Sequence, residues 1–411
     1  MSSQNVDKPN SAIVDRRSGL TVGAAVIIAN LSNYGFQILT GRLLNVDEYG
    51  LLAGFMSAIT IIAVSTSALQ TTAARTVAVG NNRPDRRSLL DHLTRTAVVF
   101  ALTTGLIIIA LSPLISRFLN IGLLPIVFLG VYVLPSVLDS IAAGRLQGAR
   151  RFRALARYTA AQAVAKLAVA AAIIGLGYRV VGLVAGLVLT CGSVALAGLL
   201  STREVGAIDT HVLGPEVRRG FFAFLSLWIM MSVDFAFARA FFAPDAAGVY
   251  AAAAVLGKAV LWLPTMVTQL LFPHLAERSV KGQGAGAVMS RAALLVIGVS
   301  GASVAVLYVF GHQIFSLLYG SRYNGAADIS WQIGLAMIPL ALVNLFLFHF
   351  LARGQGQFLR WMLIAVICEV GALLVGPKTG HSYAVTIGAT GSLLLLALMP
   401  PAGWRRLRRR L

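Results

Sequence analysis

Long apolar runs, each bounded by a few charged or turn-forming residues, follow one another along the whole chain. A helix that crosses a bilayer needs about 20 predominantly apolar residues. The runs therefore predict about twelve membrane-spanning helices, near residues 20–41, 49–70, 95–116, 121–143, 155–176, 180–200, 218–240, 248–270, 291–313, 329–351, 359–376 and 381–400. No gap between them exceeds about 25 residues, which leaves no room for a soluble catalytic domain.

The composition indicates that lipid, not water, covers most of the surface. Of the 411 residues, 57% are hydrophobic and 12% are charged, with a mean hydropathy of +0.80. A soluble domain carries about 25% charged residues. We therefore predict an all-α polytopic membrane protein. The first run is expected to be a retained helix, because it is longer than a signal-peptide core and no clear small-residue cleavage site follows it.

The basic residues alternate between the two ends of the predicted helices. With the N-terminus in the cytoplasm, 26 of the 34 Lys and Arg residues fall in cytoplasmic segments. Six fall in outward loops: Arg42, Arg117, Arg179, Arg239, Arg322 and Lys378. Cytoplasmic loops are enriched in Lys and Arg, so both termini are predicted to be cytoplasmic. The formal net charge of +19 is then explained by anionic headgroups beside these loops and does not call for nucleic acid.

A short stretch recurs near the midpoint of the chain. LLNVDEYGLLA, residues 43–53, aligns with FFAPDAAGVYA, residues 241–251, at an offset of 198 residues. The alignment pairs Asp47 with Asp245, and Gly50 with Gly248. Both stretches are predicted outward turns, so two six-helix lobes are predicted to be parallel repeats. In transporters, such repeats are related by an axis along the membrane normal, and the substrate site lies at their interface.

The predicted organisation follows from this repeat. It comprises a cytoplasmic tail at 1–19, an N-lobe with spans 1–6 at 20–205, a C-lobe with spans 7–12 at 206–403, and a basic cytoplasmic tail at 404–411.

Two stretches resemble a known family. GRLLNVDEYGLLAG, residues 41–54, is similar to the start of the polysaccharide-transporter family, the Wzx-type oligosaccharide flippases of the MOP superfamily. DFAFARAFFAPDAAGVYAAAAVLGKAVLWLPTMVTQLLFPHLAE, residues 234–277, is more similar to that family's second-half signature. The shared features are an Asp in span 7, an Arg before the turn, GxYAAA at the start of span 8 and the exit FPHLAE.

The resemblance implies a MATE/MOP-like fold and a flippase that works by alternating access. The implied substrate is an undecaprenyl-pyrophosphate-linked oligosaccharide, a precursor of exopolysaccharide, O-antigen or capsule, moved from the inner to the outer leaflet. The implied location is the bacterial cytoplasmic membrane, with a glycan polymerase or export machinery as a further partner. The predominance of Arg over Lys, 29 to 5, is typical of a GC-rich bacterial genome.

Polar residues inside spans mark a candidate substrate cavity, because such residues normally face the protein interior. Thr159, Gln162 and Lys166 share one face of span 5. Lys166 is predicted either to attract a pyrophosphate or acidic sugar, or to be a buried lysine paired with a carboxylate. On span 1, a polar stripe is predicted either to line the cavity or to make interhelical hydrogen bonds. Its members are Asn30, Asn33, Tyr34 and Gln37.

Three further ionisable residues are candidates for gating or ion coupling. Asp234 and Lys258 lie on adjacent antiparallel spans, about 9 and 15 Å deep at helical rise, and a lysine side chain can bridge that difference. The pair is predicted to be either a fixed ion pair or one that breaks during transport, with Lys258 also a candidate cavity residue. Glu369 lies deep in span 11 with no evident sequence partner and is a candidate proton site.

Arg42 and Arg239 end spans 1 and 7, one residue out of register in the repeat. They are predicted either to anchor in the lipid headgroups or to contact the pyrophosphate as it leaves.

Other function classes fit less well. A drug exporter of the same superfamily favours an acidic cavity for organic cations, whereas the mid-span lysines favour anions. A glycan polymerase or ligase needs a large outward loop, and the longest one predicted, around 317–328, has about a dozen residues. A scaffold without transport has no use for buried charges. No GxxxxGK[ST] sequence occurs, so no nucleotide cofactor is predicted. His274 and His349 lack metal-ligand spacing and the two cysteines lack partners, so no metal site is predicted.

Overall fold

A computed structural model describes residues 16–79, 86–202, 215–280, 285–352 and 358–398. These residues form helices throughout, with no strand among them. The helices are α1 Arg16–Leu43, α2 Val46–Val79, α3 Arg86–Ala110, α4 Ser112–Leu119, α5 Leu123–Gly148, α6 Phe152–Gly175, α7 Val180–Ser201, α8 Pro215–Phe241, α9 Pro244–Val280, α10 Ala285–Leu318, α11 Asn324–Ala352, α12 Phe358–Val375 and α13 Gly380–Leu398. The predicted tail at 404–411 and most of that at 1–19 lie outside this range.

Eleven of the described helices are long and apolar enough to cross a membrane. A twelfth span exists if α3 and α4 count as one, since they meet at a 61° bend. The predicted count of about twelve is confirmed in this sense, but the predicted continuous helix at 95–116 is wrong. Pro113 lies in the first turn of α4, where its missing N–H costs no intrahelical bond, so the chain restarts a helix there.

The surface of the bundle is apolar. Leu31, Leu189 and Val375 are 67, 70 and 89% exposed, and many other large aliphatic side chains are similarly uncovered. A contiguous apolar surface of this extent is unfavourable in water and favourable in hydrocarbon. The chain is a multi-pass membrane protein.

The two halves of the chain pack their helices in the same pattern. In the first half, α5 packs against α2, α3 and α7, while α6 packs against α1 and α7. In the second half, α11 packs against α9, α10 and α13, while α12 packs against α8 and α13. Counting α3 and α4 as one span, matching α1–α7 with α8–α13 in order makes every one of these pairs equivalent. The predicted fold class, two six-span lobes related as parallel repeats, is confirmed; the lobe boundary at 205/206 falls in the undescribed stretch 203–214 and stays a prediction.

The halves meet mainly where α2 packs against α8 and α9. Gly50 and Gly248 are in backbone contact there, because a Cβ on Gly50 would lie 2.7 Å from the Gly248 nitrogen. Further along α2, the Ser57 hydroxyl donates to the Ser232 carbonyl of α8 at 2.6 Å. We call the end of the bundle that carries the α1–α2 and α8–α9 turns the turn end.

The acidic residues Asp47 and Glu48 lie in the first turn of α2. The Asn45 amide donates to the Glu48 carboxylate at 3.1 Å, one half of a capping box at the start of α2. The other Glu48 oxygen pairs with Arg179, at the start of α7, at 3.0 Å. The turn end has short connections throughout. Only residues 319–323, with a 3₁₀ turn at Ser321–Tyr323, separate α10 from α11, so the dozen-residue outward loop predicted around 317–328 is wrong.

Candidate functional site

The second half contains a fully bonded buried ion pair. The Lys258 ammonium of α9 donates to both Asp234 carboxylate oxygens of α8, at 2.6 and 2.7 Å, and to the Met231 carbonyl at 2.7 Å. The Tyr250 hydroxyl donates to the same carboxylate at 2.6 Å. Asp234 has no exposed surface, and Lys258 has almost none. The predicted bridge between these two residues is confirmed, and its tight bonding is what a buried charge requires.

Glu369 of α12 lies close enough to Asp234 and Lys258 to interact with both electrostatically. It is completely buried. One carboxyl oxygen accepts a hydrogen bond from the Thr390 hydroxyl of α13 at 3.0 Å, while the other has no hydrogen-bond partner among the described residues. Glu369 thus lies beside a carboxylate and an ammonium that are already bonded to each other.

The first half holds a cation of a different kind. The Lys166 ammonium of α6 donates to the Asn33 side-chain carbonyl of α1 and lies 4.8 Å from the centre of the Phe36 ring. The residue is half-buried, and no carboxylate in the described part of the chain is in ion-pair contact with it. The structure thus brings Lys166 and Asn33 together, as expected for one polar site. Unlike Lys258, Lys166 keeps an uncompensated charge.

Gln162 lies one helical turn from Lys166 on α6 and points to a carboxyl group. Asp139 of α5 accepts a hydrogen bond from the Tyr158 hydroxyl at 2.5 Å, and the Gln162 side chain lies near the same carboxyl group. The residue is partly buried. The Asp139 carboxyl group of α5 therefore lies beside α6 one turn from Lys166, and both charged groups contact neutral side chains.

The rest of the polar stripe on α1 makes short-range bonds. The Asn30 side chain donates to the Val26 carbonyl of its own helix at 2.9 Å. Gln37 accepts a long hydrogen bond, 3.5 Å, from the Tyr49 hydroxyl. Of the predicted cavity residues, Asn30, Asn33, Gln37, Gln162 and Lys166 all belong to the first half, whereas Lys258 is tied to Asp234 in the second. A cavity role for Lys258 stays a prediction and requires that ion pair to open.

Arg42 and Arg239 each reach across to the opposite half. Arg42 Nη1 donates to the Leu317 carbonyl at 2.6 Å, and Arg239 Nη2 donates to the Asn120 carbonyl at 2.7 Å. Arg239 is only 9% exposed, and its Nε has no hydrogen-bond partner in the described part of the chain. A headgroup anchor would extend into the lipid interface, so the burial of Arg239 contradicts that alternative for this residue. Contact with a leaving pyrophosphate stays a prediction for both arginines.

Sequence reasoning missed the aromatic cluster beside these arginines. The rings of Tyr49, Tyr319 and Tyr323 lie 5.4 to 6.0 Å apart, with Tyr49 from the first half and the others from the second. The hydroxyls of Tyr319 and Tyr323 are buried, and neither has a hydrogen-bond partner within the described ranges. Their spacing in YGSRY is the only sequence signal, and it does not reveal a partner 270 residues earlier.

A cleft of about 490 Å³ opens at the turn end between the halves. It is lined by Asn45, Val46, Asp47, Asp245, Val249 and Arg322. Asp47 and Asp245 are the two aspartates that the repeat aligns, so equivalent residues from both halves line the cleft.

Comparison with known proteins places the chain in a family. The model of the family described as "polysaccharide biosynthesis protein" matches residues 38–328, well over half of the chain. None of the curated proteins matches the chain by sequence.

Solved structures share the fold. The lipid II flippase MurJ, in an inward closed conformation, superposes with a TM-score of 0.73 at 12% identity, over 92% of this chain and 87% of MurJ. An inward-facing multidrug resistance transporter of the MATE family gives 0.62 at 14% identity, over 92% and 94%. A MOP superfamily transporter from Pyrococcus furiosus gives 0.55 at 15% identity, over 96% and 94%.

The fold and the family agree with the resemblance seen in residues 41–54 and 234–277. The chain belongs to the polysaccharide biosynthesis protein family and has the fold of the MOP superfamily transporters and flippases.

Proposed function

We propose that the chain flips an undecaprenyl-pyrophosphate-linked oligosaccharide from the inner to the outer leaflet of the bacterial cytoplasmic membrane. The observation that carries the proposal is Lys166. Its ammonium is held by an amide and an aromatic ring, with no carboxylate in ion-pair contact among the described residues. A half-buried cation without a counter-ion attracts an anion, and a diphosphate is the anionic group of such lipids.

The neighbouring side chains suit the rest of the headgroup. Asn33 can exchange its bond with Lys166 for one to a phosphate oxygen or a sugar hydroxyl. Asn30, Gln37 and Gln162 supply neutral donors and acceptors, which suit sugar hydroxyls without the desolvation cost of further charges. The lipid tail stays in the bilayer between helices, so the cavity needs to hold only the polar part of the substrate.

The two halves are proposed to rock about the contact between α2 and α9. The turn end carries six of the 34 basic residues, so we assign it to the outer face. In the present structure the halves touch there, at Gly50 and Gly248. The substrate then enters from the cytoplasmic side and leaves after the turn end opens, at which point Arg42 and Arg239 are free to contact its diphosphate.

The ion pair in the second half is proposed to couple transport to protons. Glu369 has a free carboxyl oxygen and shares its surroundings with Asp234 and Lys258. Loss of its proton leaves two carboxylates beside one ammonium and favours a rearrangement of α8, α9 and α12. Proton binding and release can in this way bias the two conformations of the lobes.

The proposal is tested by the leaflet distribution of lipid-linked glycans in cells lacking this protein. Spheroplasts are labelled with a membrane-impermeant reagent before and after permeabilisation, and the lipids are extracted. The expected result is accumulation of an inward-facing undecaprenyl-linked oligosaccharide. Wild type and Lys378→Ala relieve it, while Lys166→Ala does not.

Two other outcomes change the conclusion. No accumulation, together with altered sensitivity to small organic cations, assigns the chain to drug export. Accumulation relieved equally by Lys166→Ala keeps the flippase and removes Lys166 from its site. Lys378 is a matched control because its ammonium caps α12, donating to the Leu373 and Leu374 carbonyls at 2.6 Å, and lies 4.6 Å from the centre of the Phe241 ring, so none of its contacts belongs to the site around Lys166.

A further inference from the structure

The hydrogen bonds from Arg42 and Arg239 occupy equivalent positions in the two repeats. Arg42 ends α1 in the first half and donates to a carbonyl at the end of α10; Arg239, near the end of α8 in the second half, donates to a carbonyl just after α4. The repeat offset of 198 residues places both donors within one residue of each other, and likewise both acceptors, Leu317 and Asn120. Each half therefore holds the other through an equivalent arginine.

An aromatic ring also crosses between the halves beside each bond, although the offset of 198 residues does not pair the two rings. At the first, the Tyr319 ring fills the space above Gly41, where a Cβ would lie 2.4 Å from the ring. At the second, the Phe118 ring makes an edge contact with the Phe241 ring at 5.8 Å. Both contacts join the ends of the same helices as the arginine bonds.

A third contact joins two residues that the repeat aligns with each other. Gly50 and Gly248 are the aligned residues of the two halves, and their backbones touch. The turn end is thus closed at three places, two arginine bonds and one glycine contact. Arg322 adds a bond to the first, donating to the Arg42 carbonyl at 3.1 Å.

The chemistry of these bonds suits a closure that opens. Each guanidinium is bonded to a neutral carbonyl, which is a weaker partner than a carboxylate. Among the residues that the structure describes, the closed state also leaves Arg239 Nε and the Tyr319 hydroxyl buried without hydrogen-bond partners, and water satisfies both groups once the halves separate. A static interface gains nothing from such unsatisfied groups.

We infer that Arg42 and Arg239 form a two-fold latch that sets the population of the closed turn end. The latch goes beyond the proposed function, because it acts whichever substrate the protein carries. Removing either arginine favours separation of the halves at this end without removing the fold.

The test measures distances between nitroxide spin labels by pulsed electron–electron double resonance on purified protein without substrate. Labels at Tyr178→Cys and Asn324→Cys, both exposed at the turn end, report across the halves. Labels at Tyr178→Cys and Leu123→Cys report within the first half. Cys191 and Cys368 are first replaced by Ala.

Arg239→Ala is expected to raise the ratio of long to short cross-half distances about tenfold, as the loss of one charge-assisted hydrogen bond allows. Arg42→Ala, at an exposed position, gives a several-fold rise, and Arg239→Lys a smaller one than Arg239→Ala. Arg117→Ala, an exposed arginine at the same end, leaves the distribution unchanged. The within-half pair is unchanged in every variant.

Unchanged cross-half distances in both alanine variants overturn the latch. Lengthening of the within-half pair overturns it too, because it shows local unfolding of the turns. If Arg239→Ala does not purify as a folded protein, the cross-half distances of Arg42→Ala and Arg239→Lys still test the latch. Since no substrate is present, a failed latch leaves the proposed flippase standing, and a failed flippase leaves the latch standing.

Discussion

Gly50 of α2 and Gly248 of α9 touch backbone to backbone, although 198 residues separate them. A Cβ added to Gly248 would lie 1.8 Å from the Val46 carbonyl oxygen, and a Cβ on Gly50 would lie 2.7 Å from the Gly248 nitrogen. No side-chain rearrangement relieves either overlap, because the obstructing atoms are backbone. The two repeats cross where neither tolerates even a methyl group, and this close approach positions both halves of the molecule.

The first prediction concerns this crossing. Gly248→Ala must push α2 and α9 apart, at a cost of about 1–3 kcal/mol. Gly301→Ala in α10 is the matched control, because a Cβ there meets nothing within 4 Å and alanine is the better helix former. Thermal unfolding in detergent is expected to show a lower Tm for Gly248→Ala and an equal or higher one for Gly301→Ala. Equal stability of the two variants contradicts the crossing.

The second prediction concerns the buried ion pair. Lys258→Ala leaves the Asp234 carboxylate buried without its counter-ion, which costs about 3–5 kcal/mol. The double variant Asp234→Asn, Lys258→Met removes both charges and should recover much of that loss. Thermal unfolding of the single and double variants measures the coupling. Strictly additive losses mean that the two residues do not depend on each other.

The third prediction concerns Glu369. Glu369→Gln keeps an acceptor for the Thr390 hydroxyl and carries no charge, so it mimics the protonated carboxyl group. It is expected to fold with near wild-type stability, while Glu369→Leu loses that bond. Transport by Glu369→Gln should no longer vary with pH. A wild-type pH profile in this variant places the coupling proton elsewhere.

The fourth prediction concerns the charge at Lys166. Lys166→Ala is expected to lower the transport rate about tenfold or more, since a charge-assisted bond to phosphate is worth roughly 1.5–3 kcal/mol. Lys166→Arg keeps the charge and should retain part of the activity. Lys378→Ala should transport as wild type. Equal rates for Lys166→Ala and Lys378→Ala show that Lys166 does not bind substrate.

Local patterns predicted the features that depend on one helix or one turn. Hydropathy located the spans, and helical rise was enough to bring Lys258 to Asp234. The repeat identified Gly50 and Gly248 as equivalent, but alignment alone does not say that equivalent residues touch. The broken third span was missed because hydropathy counts apolar length and ignores Pro113, whose position does signal a helix start.

Contacts between helices that are distant along the chain could not be predicted from the sequence. Thr390 lies on the helix after Glu369, yet nothing in either segment specifies which faces meet. The acceptors of Arg42 and Arg239 are backbone carbonyls, which every residue possesses, so no residue type at position 120 or 317 marks them. The tyrosine cluster likewise depends on how α2 and the α10–α11 turn pack in three dimensions.

The most direct test of the central claim is flipping by the purified protein in liposomes. Undecaprenyl-pyrophosphate carrying a fluorescent oligosaccharide is placed in both leaflets, and an impermeant reductant quenches the dye that reaches the outer surface. The account predicts that quenching passes from about half to nearly complete with wild type and with Lys378→Ala. Lys166→Ala should remain near the half-quenched level of protein-free liposomes. Half-quenching with wild type, in protein shown to be folded and correctly inserted, contradicts the account.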